Sequence, residues 1–144
     1  MNLSISAVLI YSLAGAVFLA YAPYAVVGFV RVKIASQQTD SMEMFRKPRA
    51  MTDMLPDYAQ RANWAHQNGF EALLVYTAAV VAALATGVFA PTAAYAAITF
   101  MVARALYSVF YILNIPALRS MMFGVANVCN IVLFSLSVAA VQNL

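Results

Sequence analysis

Two short runs of the sequence carry side chains that could do chemistry together. In the first, Arg61, Trp64, Asn68, Glu71 and Val75 recur every three or four residues. At about 100° per residue they share one stripe of an α-helix. In the second, Arg104, Tyr107, Ser108 and Tyr111 stand at i, i+3, i+4 and i+7 and mark a matching stripe. Arg119 follows in the next segment, with Ser120 beside it. One carboxylate set against Arg61, Arg104 and Arg119 leaves positive charge and phenolic donors over after any internal pairing. That surplus suits a small anionic ligand. A single acid among arginines offers no proton relay. His66 falls on the other side of the first stripe and reads as an interfacial histidine near the helix entrance. Cys129 is the one cysteine, without a partner for a disulfide or a paired-cysteine metal site, and reads as an apolar helix residue.

Stripes of this kind need helices, and the composition says which solvent those helices occupy. Of 144 residues, 65% are hydrophobic and 9% charged, against roughly 45–50% and 25% in soluble domains. A water-soluble fold of this size could not hide so much apolar surface, and a disordered chain would be rich in charge rather than in aliphatic and aromatic residues. The net charge of +3 is too small and too scattered to propose nucleic acid as a partner. Nine charged residues lie between Arg31 and Asp57: Arg31, Lys33, Asp40, Glu43, Arg46, Lys47, Arg49, Asp53 and Asp57. Arg61, Glu71, Arg104 and Arg119 are isolated in apolar sequence. The pattern is that of an integral membrane protein with one hydrophilic loop.

Met1 to Val30 carries no charge and exceeds the ~20 residues needed to cross a bilayer. It lacks the basic n-region and cleavage site of a signal peptide. After the loop, prolines break the apolar sequence at Phe89-Ala-Pro-Thr92 and Asn114-Ile-Pro-Ala117. The expectation is a single all-α domain over 1–144, a four-helix membrane bundle with helices over 4–30, 60–88, 92–114 and 117–141 and a loop over 31–59. Arg31, Lys33, Arg46, Lys47, Arg49, Arg61 and Arg119 all gather at the loop end, so the positive-inside rule makes the loop cytoplasmic and both termini external. Tyr21, Tyr24, Tyr58 and Trp64 suit an interfacial aromatic belt there. Without a basic targeting segment, a bacterial inner membrane is the natural location. Glu71 and Arg104 each lie about 15 Å from that end at 1.5 Å per residue, a common depth at which they could meet as an ion pair.

The run from Tyr58 through Arg61 to Trp64-Ala-His-Gln-Asn68-Gly-Phe-Glu71 resembles the helix-two signature of the MAPEG family, the membrane-associated proteins in eicosanoid and glutathione metabolism. In that signature an arginine is followed by Arg-Ala-x-x-Asn-x-x-Glu. Arg104-Ala-Leu-Tyr107-Ser-Val-Phe-Tyr111, with Pro116-Ala-Leu-Arg119 after it, is similar to the family's helix three and the turn that follows. Both signatures occur in the family's order, and the resemblance covers all four spans, as in a bacterial-type member. It implies a homotrimer that binds glutathione between subunits near the cytoplasmic side. Asn68 and Glu71 would hold the glutathione backbone, Glu71 taking the amino group. Arg104, Tyr107 and Tyr111 would contact its carboxylates and peptide, and Arg61 would sit at the mouth. Arg119 resembles the arginine that stabilises the thiolate, with Tyr111 and Ser120 as further catalytic candidates. Trp64 stands where eicosanoid and microsomal members carry a second arginine, which removes one carboxylate clamp.

Two functional readings follow. In one, the chain activates glutathione as co-substrate and transfers it to a lipophilic electrophile, or reduces a lipid hydroperoxide with it, the substrate arriving from the bilayer through an apolar crevice. In the other, the family scaffold is kept without catalysis, for helix packing, lipid binding or partner assembly, and Asn68, Glu71 and Arg104 pin two helices together.

Overall fold

The structure is a computed structural model that describes residues 4–37, 46 and 50–142. Four long helices dominate it: α1 (Ile5–Ala35), α2 (Asp57–Ala85), α3 (Pro91–Ile112) and α4 (Pro116–Gln142), with a 3₁₀ turn at Ala50–Met54 before α2. Each of the four is long and apolar enough to cross a membrane. Most of their surface faces outward, including Phe18, Phe29, Leu74, Phe89 and Tyr95, each more than two-thirds exposed. Large apolar side chains on that scale need lipid or protein around them, so the chain is an all-α integral membrane protein. The middle of the α1–α2 connection, with Asp40, Glu43, Lys47 and Arg49, lies outside the described residues, as do the two chain ends.

The helices run antiparallel in sequence order, and three sets of facing residues give the register. Between α1 and α2, Ser12 meets Tyr76, Ala20 meets His66, and Val27 and Val30 meet Ala59 and Ala62. Between α2 and α3, Tyr76 stacks on Phe100, Asn68 meets Arg104, and Arg61 meets Ile112. Between α3 and α4, Tyr107 meets Phe123 and Tyr111 meets Arg119. Both α2 and α3 touch all three other helices. Their small residues permit this closeness: Ala79, Ala83, Ala93 and Ala97 are fully buried in the main core around Tyr76, Phe100, Leu9 and Leu133. The Tyr76 and Phe100 rings lie nearly parallel, 3.7 Å apart between centroids. Ser12 Oγ donates to the Leu9 carbonyl at 2.7 Å, so the Tyr76 hydroxyl donates to Ser12 Oγ at 2.6 Å. A phenol with no solvent exposure thus finds its partner on another helix, as hydrocarbon demands.

Helix ends follow from local chemistry and depart from the sequence expectation in places. The second helix stops at Ala85 rather than 88, because Gly87 adopts φ +66° and closes the end. Val88 N–H bonds the Ala83 carbonyl at 2.9 Å and Gly87 N–H the Leu84 carbonyl at 3.2 Å, a Schellman cap. Asn114, at φ +58°, does the same for α3: Ile115 N–H reaches Phe110 at 2.9 Å and Asn114 N–H reaches Tyr111 at 3.2 Å. Asparagine tolerates this left-handed geometry better than other non-glycine residues. Pro91 and Pro116 then open the following helices, each as the first residue, where a missing N–H costs nothing. The first helix continues past Val30 to Ala35, and Arg31 stays on it by donating from Nη1 to the Tyr24 hydroxyl at 2.9 Å, two turns back.

Candidate functional site

The two stripes face each other, and Asn68 joins them. Arg104 donates from Nη1 to Asn68 Oδ1 at 3.2 Å and from Nη2 to the Asn68 carbonyl at 3.3 Å. Asn68 Nδ2 in turn donates to Glu71 Oε2 at 3.1 Å. The expected Glu71–Arg104 ion pair is therefore replaced by a relay. Among the described residues Glu71 makes no ion pair, because Asn68, one turn before it, takes the guanidinium first. Arg104 is 5% exposed, and Glu71 faces outward. Ser108 turns back on its own helix and donates to the Arg104 carbonyl at 3.2 Å.

From Arg104 a ladder of cations and rings leads to the loop end. Its guanidinium lies 4.3 Å from the Tyr107 ring centroid, Tyr107 and Tyr111 meet edge-on at 5.5 Å, and the Arg119 guanidinium lies 4.5 Å from the Tyr111 ring. Cations over ring faces are attracted by the aromatic quadrupole, more so where water is scarce. Among the described residues Arg119 makes no hydrogen bond through its guanidinium, and neither phenol makes one. Arg119 sits in the first turn of α4, which the Asn114 cap and Pro116 aim back along α3.

Beside this ladder, α2, α3 and α4 line an open cleft of about 140 Å³. Asn68, Glu71 and Arg104 line it from two helices, and Asn127 and Asn130 line it from the third. The two α4 asparagines were not among the sequence candidates. Phe123, Ala126, Asn127 and Asn130 stand at i, i+3, i+4 and i+7, so the helical spacing that picked out the other stripes was present here too. Their lack of charge hid them. Asn127 Nδ2 donates to its own helix at Phe123 O, 2.9 Å away, and Asn130 Oδ1 is buried with no hydrogen-bond partner among the described residues.

The remaining candidates lie elsewhere. Arg61 donates from Nε to the Ile112 carbonyl at 3.0 Å, satisfying an end carbonyl of α3 with a charge of the favourable sign. Trp64 is exposed, as are Tyr21, Tyr24 and Tyr58. Ser120 is exposed beside Arg119. His66 donates from Nδ1 to the Ala20 carbonyl at 2.7 Å, since a carbonyl can only accept, and its ring lies among Tyr21, Tyr24 and Phe70. Gly69 makes this approach possible, because a Cβ there would meet Ala20 Cα at 3.1 Å. Cys129 is buried in the main core as an apolar residue.

Four membrane-crossing helices with a polar site built across α2, α3 and the start of α4 define the class of protein. Residues 8–139 match the model of the MAPEG family, and the chain belongs to that family. The match spans all four helices. No curated protein and no solved structure matches the chain significantly.

Proposed function

We propose that the chain is a membrane-bound, glutathione-dependent transferase or peroxidase acting on lipophilic electrophiles or lipid hydroperoxides, assembled as a homotrimer with its basic loop in the cytoplasm. The observation that carries this reading is Arg119: a guanidinium held over Tyr111 at 4.5 Å, its N–H donors unspent among the described residues, at the end of a chain of polar and aromatic contacts that begins at Glu71. Glutathione offers two carboxylates, one ammonium and a thiol. In this reading the guanidinium of Arg104 and the phenols of Tyr107 and Tyr111 answer its carboxylates and peptide, Arg119 answers the thiolate, and Glu71, tied to Asn68 at 3.1 Å, answers the ammonium. Arg61 keeps its place at the mouth as the neighbour of the α3 end.

A thiol of pKa near 8.5 is mostly protonated at neutral pH, and a fixed cation favours the thiolate. Arg119 supplies that cation, with Tyr111 and Ser120 as hydroxyls close to it. With an electrophile, the sulfur forms a bond to carbon while the leaving group departs with the bonding pair. With a hydroperoxide, sulfur attacks the terminal oxygen and the O–O bond breaks. The alkoxide takes a proton to give the alcohol, and a second glutathione converts the sulfenic acid to the disulfide with release of water. The apolar crevice between α1 and α3, lined by Pro23, Val26, Val109 and Ile112, offers a lipophile a lateral route.

The test is the purified, detergent-solubilised protein with and without millimolar glutathione. Binding at ~100 times the dissociation constant adds about 2.7 kcal/mol and a clear rise in unfolding temperature, and an electrophile or organic hydroperoxide should then turn over. No thermal response and no turnover would remove the reading. A second reading, a non-catalytic scaffold, is favoured by the way Arg104 and Arg61 both spend donors on backbone carbonyls, at Asn68 and Ile112. Under it, Arg119→Ala and Tyr111→Phe leave the cellular role intact while Glu71→Ala weakens the assembly.

A further inference from the structure

We infer that Asn130 and Asn127 on α4, together with Glu71 on α2, form a three-acceptor site for a primary ammonium at the deep end of the cleft. This inference rests on the proposed use of glutathione and extends its binding site to a helix that the two sequence signatures do not include. The starting observation is that Asn130 is 5% exposed and its Oδ1 has no hydrogen-bond partner. A buried amide oxygen left unpaired in hydrocarbon is costly, and such atoms are nearly always matched by a donor from somewhere. The described residues supply none. Asn130 lines the cleft that also holds Glu71 and Arg104.

The neighbouring donors are directed at partners other than Asn130. Both terminal nitrogens of Arg104 point at Asn68, and the amide nitrogen of Asn68 points at Glu71. Asn127 gives its Nδ2 to the Phe123 carbonyl, which turns its Oδ1 away from its own helix backbone. On the side of the cleft formed by Glu71 and α4, acceptors are left over: the second oxygen of Glu71, Oδ1 of Asn127 and Oδ1 of Asn130. An ammonium carries three N–H donors and one positive charge, so it matches both the number of acceptors and the single carboxylate. A hydroxyl has one donor and would leave two acceptors unpaired. The amides therefore select for an amine at the end of the trough away from Arg119, and they set which way round an asymmetric tripeptide lies.

The experiment compares glutathione with its glutaryl analogue, identical except that the α-amino group is absent, by calorimetry on the detergent-purified full chain. Wild type should prefer glutathione by about tenfold or more, the worth of a hydrogen bond to a charged group. Asn130→Leu and Asn127→Leu should each shrink that preference while binding the glutaryl analogue as wild type does. Asn130→Leu should also raise the unfolding temperature of the ligand-free protein, since it removes an unpaired carbonyl and keeps the branched side-chain shape. Equal affinity of wild type for both ligands overturns the inference and leaves the proposed function standing. Equal losses for both ligands in Asn130→Leu overturn it as well, as does an unchanged preference. Failure of wild type to bind either ligand overturns this inference and the proposed function together.

Discussion

Replacing Asn68 by alanine removes the side chain on which the two polar stripes converge. The Arg104 bond at 3.2 Å crosses between helices, whereas the Glu71 bond at 3.1 Å lies within one helix on its outer side. Interhelical hydrogen bonds in membranes average about 0.6 kcal/mol and reach about 1.7, and an exposed pair one turn apart contributes about 0.2–0.5. Arg104, 5% exposed, keeps the Asn68 backbone carbonyl at 3.3 Å and so is not left bare. The expected loss is about 1–2 kcal/mol, less the few tenths by which alanine is the better helix former. The assay is unfolding in a mixed detergent titration, followed by fluorescence of Trp64, the one tryptophan and one turn before Asn68. A double-mutant cycle with Arg104→Met cancels the propensity change and isolates the coupling. We expect about 1 kcal/mol. If Asn68→Ala costs as much with methionine at position 104 as with arginine there, the two side chains do not interact and the relay is wrong.

Gly69→Ala should destabilise the α1–α2 pair by about 1–3 kcal/mol, since the new Cβ meets Ala20 Cα at 3.1 Å and its carbonyl at 3.3 Å, both backbone atoms that cannot swing aside; the same titration reads it. Tyr76→Phe should cost about 1 kcal/mol for the lost bond to Ser12, and Tyr76→Ala about 3–5 for the emptied place against Phe100. A similar cost for both would mean that ring stacking contributes little. In activity assays, Arg119→Leu should lower turnover by about a hundredfold with glutathione binding largely kept, the effect of deleting one electrostatic stabiliser. Arg119→Lys should recover only part, because an ammonium lacks the planar face that lies over Tyr111.

The stripes were legible because they rest on two simple regularities, the 3.6-residue period and the rarity of charge in a membrane helix. Asn68, Glu71, Arg104, Tyr107 and Tyr111 are linked in one chain of contacts. Which partner each chooses was not legible, since partner choice depends on reach rather than on period. Glu71 and Arg104 share a depth as expected, yet Asn68 stands between them and accepts the guanidinium. Helix ends were placed by proline, the loudest breaker. Gly87 and Asn114 set the true ends a few residues earlier, through a left-handed cap that a single glycine or asparagine in apolar sequence announces only faintly. Asn127 and Asn130 escaped notice because neutral amides carry no charge signal, although their spacing continues the α4 face that begins with Phe123.

The arginines of α2, α3 and α4 show how one residue type is divided among tasks by position along the bundle. Arg61, at the start of α2, reaches the last turn of α3 and completes its backbone bonding at Ile112. Arg104, eight residues inside α3, is held by both faces of Asn68 and gives the trough a fixed positive wall. Arg119 has aromatic contact and, among the described residues, no hydrogen bond through its guanidinium, so it keeps its full set of donors where Arg61 has spent one and Arg104 two. The opposite end of the trough is left with unspent acceptors at Glu71, Asn127 and Asn130. A ligand that fills such a trough must itself be polarised, with an amine at one end and a group bearing or acquiring negative charge at the other. An anion lacking the amine, at equal net charge, should therefore bind more weakly and slide along the ladder between Arg104 and Arg119 rather than settle at one register.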